Sequence, residues 1–161
     1  MMCKERLMSY LYYFEVPFEL QHHRAAFTAQ DVANSEHISN KEMAKVVIVM
    51  VDGTMSMLVL PTSHRVDIPR LRDLLGAQEV RLATEEELSK VFPDCEVGAM
   101  PPFGRMYDLP VYVAPELAED ETIVFQAGTH TDTMRVSYED FARLVQPSIT
   151  AFAGHARTMG S

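Results

Sequence analysis

Lys45-Val46-Val47-Ile48-Val49-Met50-Val51-Asp52-Gly53-Thr54-Met55-Ser56-Met57-Leu58-Val59-Leu60 is the stretch from which the fold can be read. Val46 to Val51 runs without a polar break, the pattern of a strand covered on both faces. Asp52-Gly53 is a favoured two-residue hairpin turn, and Met55 to Leu60 returns antiparallel. Part of the sheet is therefore antiparallel, while helices interrupt the strands elsewhere. The expected class is α+β: a single domain with a mixed, curved sheet and surrounding helices.

Upstream, Met2 to Glu15 carries Leu7, Leu11 and Phe14 and fits an amphipathic helix stopped at Val16-Pro17. Phe18 to His23 reads as a short strand. Thr28-Ala29-Gln30-Asp31 is a capping-box pattern for a helix over Ala29 to Ser35, and Ser39-Asn40-Lys41-Glu42 repeats it. Downstream, Pro61 to Arg65 reads as a loop, and Asp67 caps a helix that presents Leu71, Leu74 and Leu75 and ends at Gly76. Val80 to Ala83 is a short strand, and Thr84-Glu85-Glu86-Glu87 opens a helix that stops at Phe92-Pro93. Strands follow at Val111 to Val113 and Thr122 to Ala127, then a Gly128-Thr129-His130 turn and a last strand at Met134 to Val136. Ser137 caps a final helix with Phe141, Leu144 and Val145 inward, ended by Pro147. From Gly154 on there is little to bury. The expected domain is 1–152, with a loose tail over 153–161.

A chain of 161 residues, 47% apolar, can fill one core. Its 14 Lys and Arg stand against 23 Asp and Glu, a net charge of −9. That balance disfavours tight, sequence-independent binding to phosphate backbones and argues against a DNA partner. No apolar run is long enough to span a bilayer, so no membrane partner is expected. Lys4, Glu5 and Arg6 break the N-terminal apolar residues, and no signal peptide is read. Cys3 and Cys95 have no metal-ligand spacing, and the expectation is a cytoplasmic protein with both thiols free. The histidines lack ligand spacing, no Walker loop, Gly-x-Gly-x-x-Gly or Gly-x-Ser-x-Gly occurs, and neither a metal nor a cofactor is expected.

The stretch with chemical potential is Gly98-Ala99-Met100-Pro101-Pro102-Phe103-Gly104. Two prolines make it neither helix nor central strand, and Gly98 lets another group approach the N–H groups of Gly98, Ala99 and Met100. Taken alone, it reads first as a rigid turn between strands. Lys45, opening a buried strand, either snorkels to the surface or faces a polar cleft. His130 is either a surface turn histidine or a titratable group beside that cleft.

Lys45 at the head of its strand, the Gly98-to-Gly104 loop, and Ala127-Gly128-Thr129-His130 ahead of Met134-Arg135-Val136-Ser137-Tyr138-Glu139-Asp140-Phe141 together resemble the YbaK family. This is the free-standing relative of the editing domain of bacterial prolyl-tRNA synthetases. The likeness runs from about Val16 to Val145. It implies a single α+β domain with a mixed, barrel-like sheet, and hydrolysis of the ester of a mischarged aminoacyl-tRNA carrying a small amino acid, without metal. The partners it implies are the tRNA acceptor end and an aminoacyl-tRNA synthetase. Lys45 would sit by the 3′-terminal adenosine and the ester, the Gly98 and Ala99 amides would face the scissile carbonyl, and His130 would position the water or the substrate's amino group. Met100, Pro101, Phe103, Gly104, Gly128, Thr129, Val46 and Thr28 would line the substrate site. The residue after the lysine is Val46, and the loop's second position is Ala99. A non-catalytic module that keeps the pocket and binds an amino acid, nucleotide or protein is the second reading; a general hydrolase of small esters is the third.

Overall fold

In a computed structural model describing residues 2–23 and 42–155, β2 (Ala44–Val51) and β3 (Thr54–Pro61) form the expected hairpin, with Lys45 opposite Leu60 and Val51 opposite Thr54. Asp52 and Gly53 both take positive φ, 48° and 85°, as a turn matched to strand twist requires. The Asp52 carboxylate then accepts the amides of Gln78 and Glu79 at 3.0 and 2.8 Å, tying the turn to the start of β5 (Val80–Leu82). β5 pairs antiparallel with β2 on its other side.

β6 (Val111–Val113) joins β3 in parallel, and β9 (Ser148–Ile149) joins β6 in parallel, giving the five-stranded order β5-β2-β3-β6-β9. A three-stranded antiparallel sheet holds β1 (Glu19–His22), β8 (Asp132–Ser137) and β7 (Thr122–Gln126) in the order β1-β8-β7. A parallel bridge between Met43 and Val124 joins the two sheets at the foot of β2. The class is thus mixed α+β, with separate open sheets rather than the expected barrel-like closure among the described residues.

The unbroken apolar run of β2 is explained by two cores. Ala44, Val46 and Ile48 pack into a large core with Met57, Val59, Phe103, Phe125 and Phe141. Val47, Val49 and Val51 pack into a smaller one with Leu58, Leu60, Leu71 and Phe152. α1 (Cys3–Tyr13) closes the large core with Leu7 and Leu11. α2 (Ile68–Leu75), capped by Asp67 and ended at Gly76, covers the small one with Leu71. α3 (Glu85–Val91) carries the Thr84–Glu87 capping box, and α5 (Tyr138–Val145) is capped by Ser137 and buries Phe141 and Val145. A 3-10 turn over Gly104–Tyr107 and the short α4 (Pro115–Ala118) have no counterpart in the sequence reading.

Phe103 anchors the proline-bearing loop. Its fully buried ring lies 5.6 Å from that of Phe125 and 5.5 Å from that of Phe141, centroid to centroid, both edge-on. Phe103→Ala should cost about 3–5 kcal/mol, the range for an aromatic removed from a closed core. A urea unfolding curve measures it.

Three expectations are corrected. Pro61 to Arg65 is not wholly loop, because β4 (His64–Val66) pairs antiparallel with β10 (Ala153–His155). The C-terminal segment is therefore held through 155 and not loose from 153. The Phe152 carbonyl accepts the Asp67 amide at 2.8 Å, and the Phe152 side chain is fully buried in the small core. The cysteines are not free thiols: Cys3 and Cys95 form a disulfide with Cα atoms 5.0 Å apart. Spacing in sequence could not show that the start of α1 folds back against the loop after α3. The helix expected at Ala29 to Ser35, with its Thr28 cap, and the Ser39 turn lie outside the described residues.

Candidate active site

The site is built on two turns zipped together. In the first, the Ala99 N–H donates to the Glu96 carbonyl at 3.0 Å, and Gly98 in the third position has φ 85°. Positive φ at that position marks a type II turn, which glycine adopts without strain. The second is the connection from β7 to β8, where the Ala127 N–H donates to the Asp132 carbonyl at 3.0 Å. Gly128 in it has φ 94°, and a Cβ there would lie 2.7 Å from the Cys3 sulfur. Only a glycine lets the start of α1 close over this turn.

Four hydrogen bonds join the turns. The Glu96 N–H donates to the Gly128 carbonyl at 2.9 Å, and the Gly128 N–H donates to the Ala99 carbonyl at 2.8 Å. The His130 N–H donates to Glu96 Oε1 at 2.7 Å, and His130 Nε2 lies 2.7 Å from the Val97 carbonyl oxygen. Gly98 and His130 are thus neighbours: an added Cβ on Gly98 would sit 3.6 Å from His130 Cε1. Of the three loop amides proposed as donors, that of Ala99 is engaged within the turn. Those of Gly98 and Met100 have no backbone acceptor among the described residues.

Asp132, 3% exposed, braces the second turn from below. Thr129 Oγ1 donates to its carboxylate at 2.7 Å, His22 Nδ1 lies 3.1 Å from it, and Lys4 Nζ lies 3.4 Å from it. Burial works against ionisation, but the bonds from Thr129 and His22 and the Lys4 ammonium outweigh it and hold the carboxyl below its ordinary value. The stabilisation is therefore fully present above the unfolded-chain value of about 4 and is lost as pH falls through the lower folded value. Asp132→Asn should cost about 1–3 kcal/mol at neutral pH. Urea midpoints taken from pH 7 to pH 3 should fall less steeply in the variant than in the wild type.

Lys45 stands one strand away. The parallel bridge sets Met43 beside Val124, and the two-residue period of a strand puts Lys45 and Gln126 on the same faces as those two residues. Gln126, 5% exposed, reaches from that face to His130, with Nε2 3.3 Å from Nδ1. Lys45 is half-buried, and burial first, then the Arg65 guanidinium, lowers the pKa of its ammonium. No carboxylate pairs with it among the described residues.

The remaining predicted residues divide by position. Val46 faces the large core, on the side of β2 opposite Lys45. Met100, Pro101, Phe103 and Gly104 are buried, Met100 and Phe103 in the large core itself, and a side chain on Gly104 would run into Val111. These four shape the loop rather than presenting side chains to solvent. Thr129 is engaged with Asp132, and Thr28 lies outside the described residues. Sequence reasoning missed Glu96, Gln126 and Asp132. Glu96 bonds a distant backbone amide, while Gln126 and Asp132 bond the near neighbours His130 and Thr129 only because of the way the intervening turn closes, which spacing along the chain does not signal. Among the described residues no cluster of His, Cys, Asp or Glu is disposed to hold a metal, and no helix is long and apolar enough to cross a membrane.

Known proteins share sequence and fold with this chain. The sequence model of the aminoacyl-tRNA editing domain matches residues 23–144. Proline–tRNA ligase of Heliobacterium modesticaldum is 28% identical over 90 residues, 56% of this chain and 15% of that protein. Its counterpart in Halalkalibacterium halodurans is 32% identical over 77 residues, 48% of this chain and 13% of the ligase. The chain thus matches only a small part of these relatives' length. Among solved structures, a hypothetical protein superposes with a TM-score of 0.82 at 19% identity, over 92% of this chain and 99% of that one. A candidate trans-editing enzyme for prolyl-tRNA synthetase superposes with a TM-score of 0.79 at 18% identity, over 92% and 94% of the two chains. Both structural likenesses speak to the fold.

Proposed function

Because the chain belongs to the aminoacyl-tRNA editing domain family, we propose that it hydrolyses, in trans, the ester joining a small, wrongly attached amino acid to the 3′ end of a tRNA. The observation that carries the reading is the pair of turns holding the exposed Gly98 amide beside His130, with Lys45 on the adjoining strand face. Water adds to the ester carbonyl, the Gly98 N–H stabilises the developing oxyanion, and the ester C–O bond breaks to release the amino acid and a tRNA hydroxyl. One such donor is worth about 3 kcal/mol in comparable sites. The Lys45 ammonium places positive charge beside the terminal nucleotide and the ester. Recognition rests on the acceptor end, with a synthetase as a further partner, because a net charge of −9 leaves little for the phosphate backbone.

A panel of mischarged tRNAs, read for free amino acid against unaided hydrolysis, tests the proposal. Release of one or a few small residues is the expected result. A non-catalytic module releases none. A general esterase also cleaves aminoacyl esters that lack tRNA.

A further inference from the structure

We infer that His130 is a positioning residue rather than a general base: its ring holds the Val97–Gly98 peptide in the orientation that turns the Gly98 N–H outward. A carbonyl oxygen can only accept, so Nε2, 2.7 Å from the Val97 oxygen, carries the ring proton. The neutral ring then has its bare nitrogen at Nδ1, where the Gln126 amide nitrogen donates across 3.3 Å. Both nitrogens face protein atoms, and the residue is 8% exposed. A base for solvent water needs a free nitrogen turned to that water; this ring turns its nitrogens inward.

The ring's partner is informative. Val97 and Gly98 are the central residues of the Glu96-to-Ala99 turn. A type I and a type II turn share the same closing hydrogen bond and differ by rotation of the central peptide through about half a circle. The closing bond therefore leaves the direction of the Gly98 N–H open. In a trans peptide the C=O and N–H point in opposite directions, so anchoring the Val97 oxygen on the buried ring sends the Gly98 N–H away from it, toward solvent. Glu96, bonded to the His130 N–H at 2.7 Å, braces the backbone that carries the ring. Histidine and turn hold each other in one of two alternatives.

The geometry stands apart from the hydrolase reading, and only its catalytic consequence rests on that reading. The test has two arms. Nitrogen-15 NMR of the imidazole in the wild-type protein should show a protonated Nε2 and an unprotonated Nδ1 at neutral pH. An Nδ1–H tautomer would overturn the inference whether or not the protein hydrolyses anything. In the second arm, kcat and KM are measured on the mischarged tRNA that the wild type accepts. His130→Ala should lower kcat by roughly 100-fold, the effect of losing one oxyanion donor, with little change in KM. His130→Gln, whose amide N–H reaches the same carbonyl, should restore at least a tenth of the wild-type kcat. A glutamine variant as slow as alanine would mean that the imidazole itself moves the proton. A wild type inactive on every mischarged tRNA, yet showing the Nε2–H tautomer, would refute the hydrolase and leave the positioning role standing.

Discussion

Lys45→Ala is expected to lower ester hydrolysis by roughly 100-fold, comparable to removing one electrostatic donor from an acyl-transfer site, while leaving the urea midpoint unchanged or slightly raised. The two effects diverge because the ammonium is half-buried without a carboxylate partner among the described residues, and the charge acting on it, that of Arg65, is itself a cation. Burying an unpaired charge costs stability. A residue held in such a setting for its packing alone would be better replaced by an apolar one. Lys45→Met, which keeps the stem against Leu60 on the neighbouring strand, sharpens the comparison: equal or greater stability with the same loss of rate. Because burial and Arg65 both lower the pKa of the ammonium, the wild-type rate should decline on the alkaline side below the ordinary lysine range. Lys45→Arg should carry that limb to higher pH. Full activity in Lys45→Ala would remove the lysine from the mechanism.

Reduction of the Cys3–Cys95 disulfide should lower stability by about 4.6 kcal/mol, the chain-entropy value for a loop approaching 100 residues; the two cysteines are 92 positions apart. The effect belongs mainly to the unfolded chain. In the folded protein the same junction is held by the Cys3 N–H on the Asp94 carbonyl at 3.1 Å and the Arg6–Asp94 ion pair at 2.8 Å. The reduced protein should therefore stay folded at moderate temperature and unfold at a lower urea concentration. A Cys3→Ser/Cys95→Ser double variant should match it and be indifferent to reductant. Two titratable thiols before reduction, with identical midpoints on either side of it, would show that the bridge does not form.

The legible parts of the fold were those in which a local rule has one outcome. Asp52-Gly53 between two apolar runs makes a hairpin, and Thr84, Asp67 and Ser137 start helices because each offers an oxygen to an amide within the first turn. The apolar run of β2 announced two covered faces, and two cores lie against it. Less was legible where short polar segments pair at long range. His64–Val66 has no strand signature of its own, and its partner Ala153–His155 lies close to the other end of the chain.

By itself, then, the amino-acid order determined the α+β class, the hairpin at its centre, the capped helices and membership of the editing family. Each follows from periodicity, turn chemistry or motif. Only the tertiary structure decided that Cys3 meets Cys95, that Glu96 and Gln126 flank His130, and that the imidazole grips the Val97 carbonyl. The reason is physical: apart from Gln126 on His130, which depends on how the turn between them closes, these contacts end on backbone atoms or on residues far away in the chain, and a backbone carbonyl is the same acceptor whatever side chain it carries.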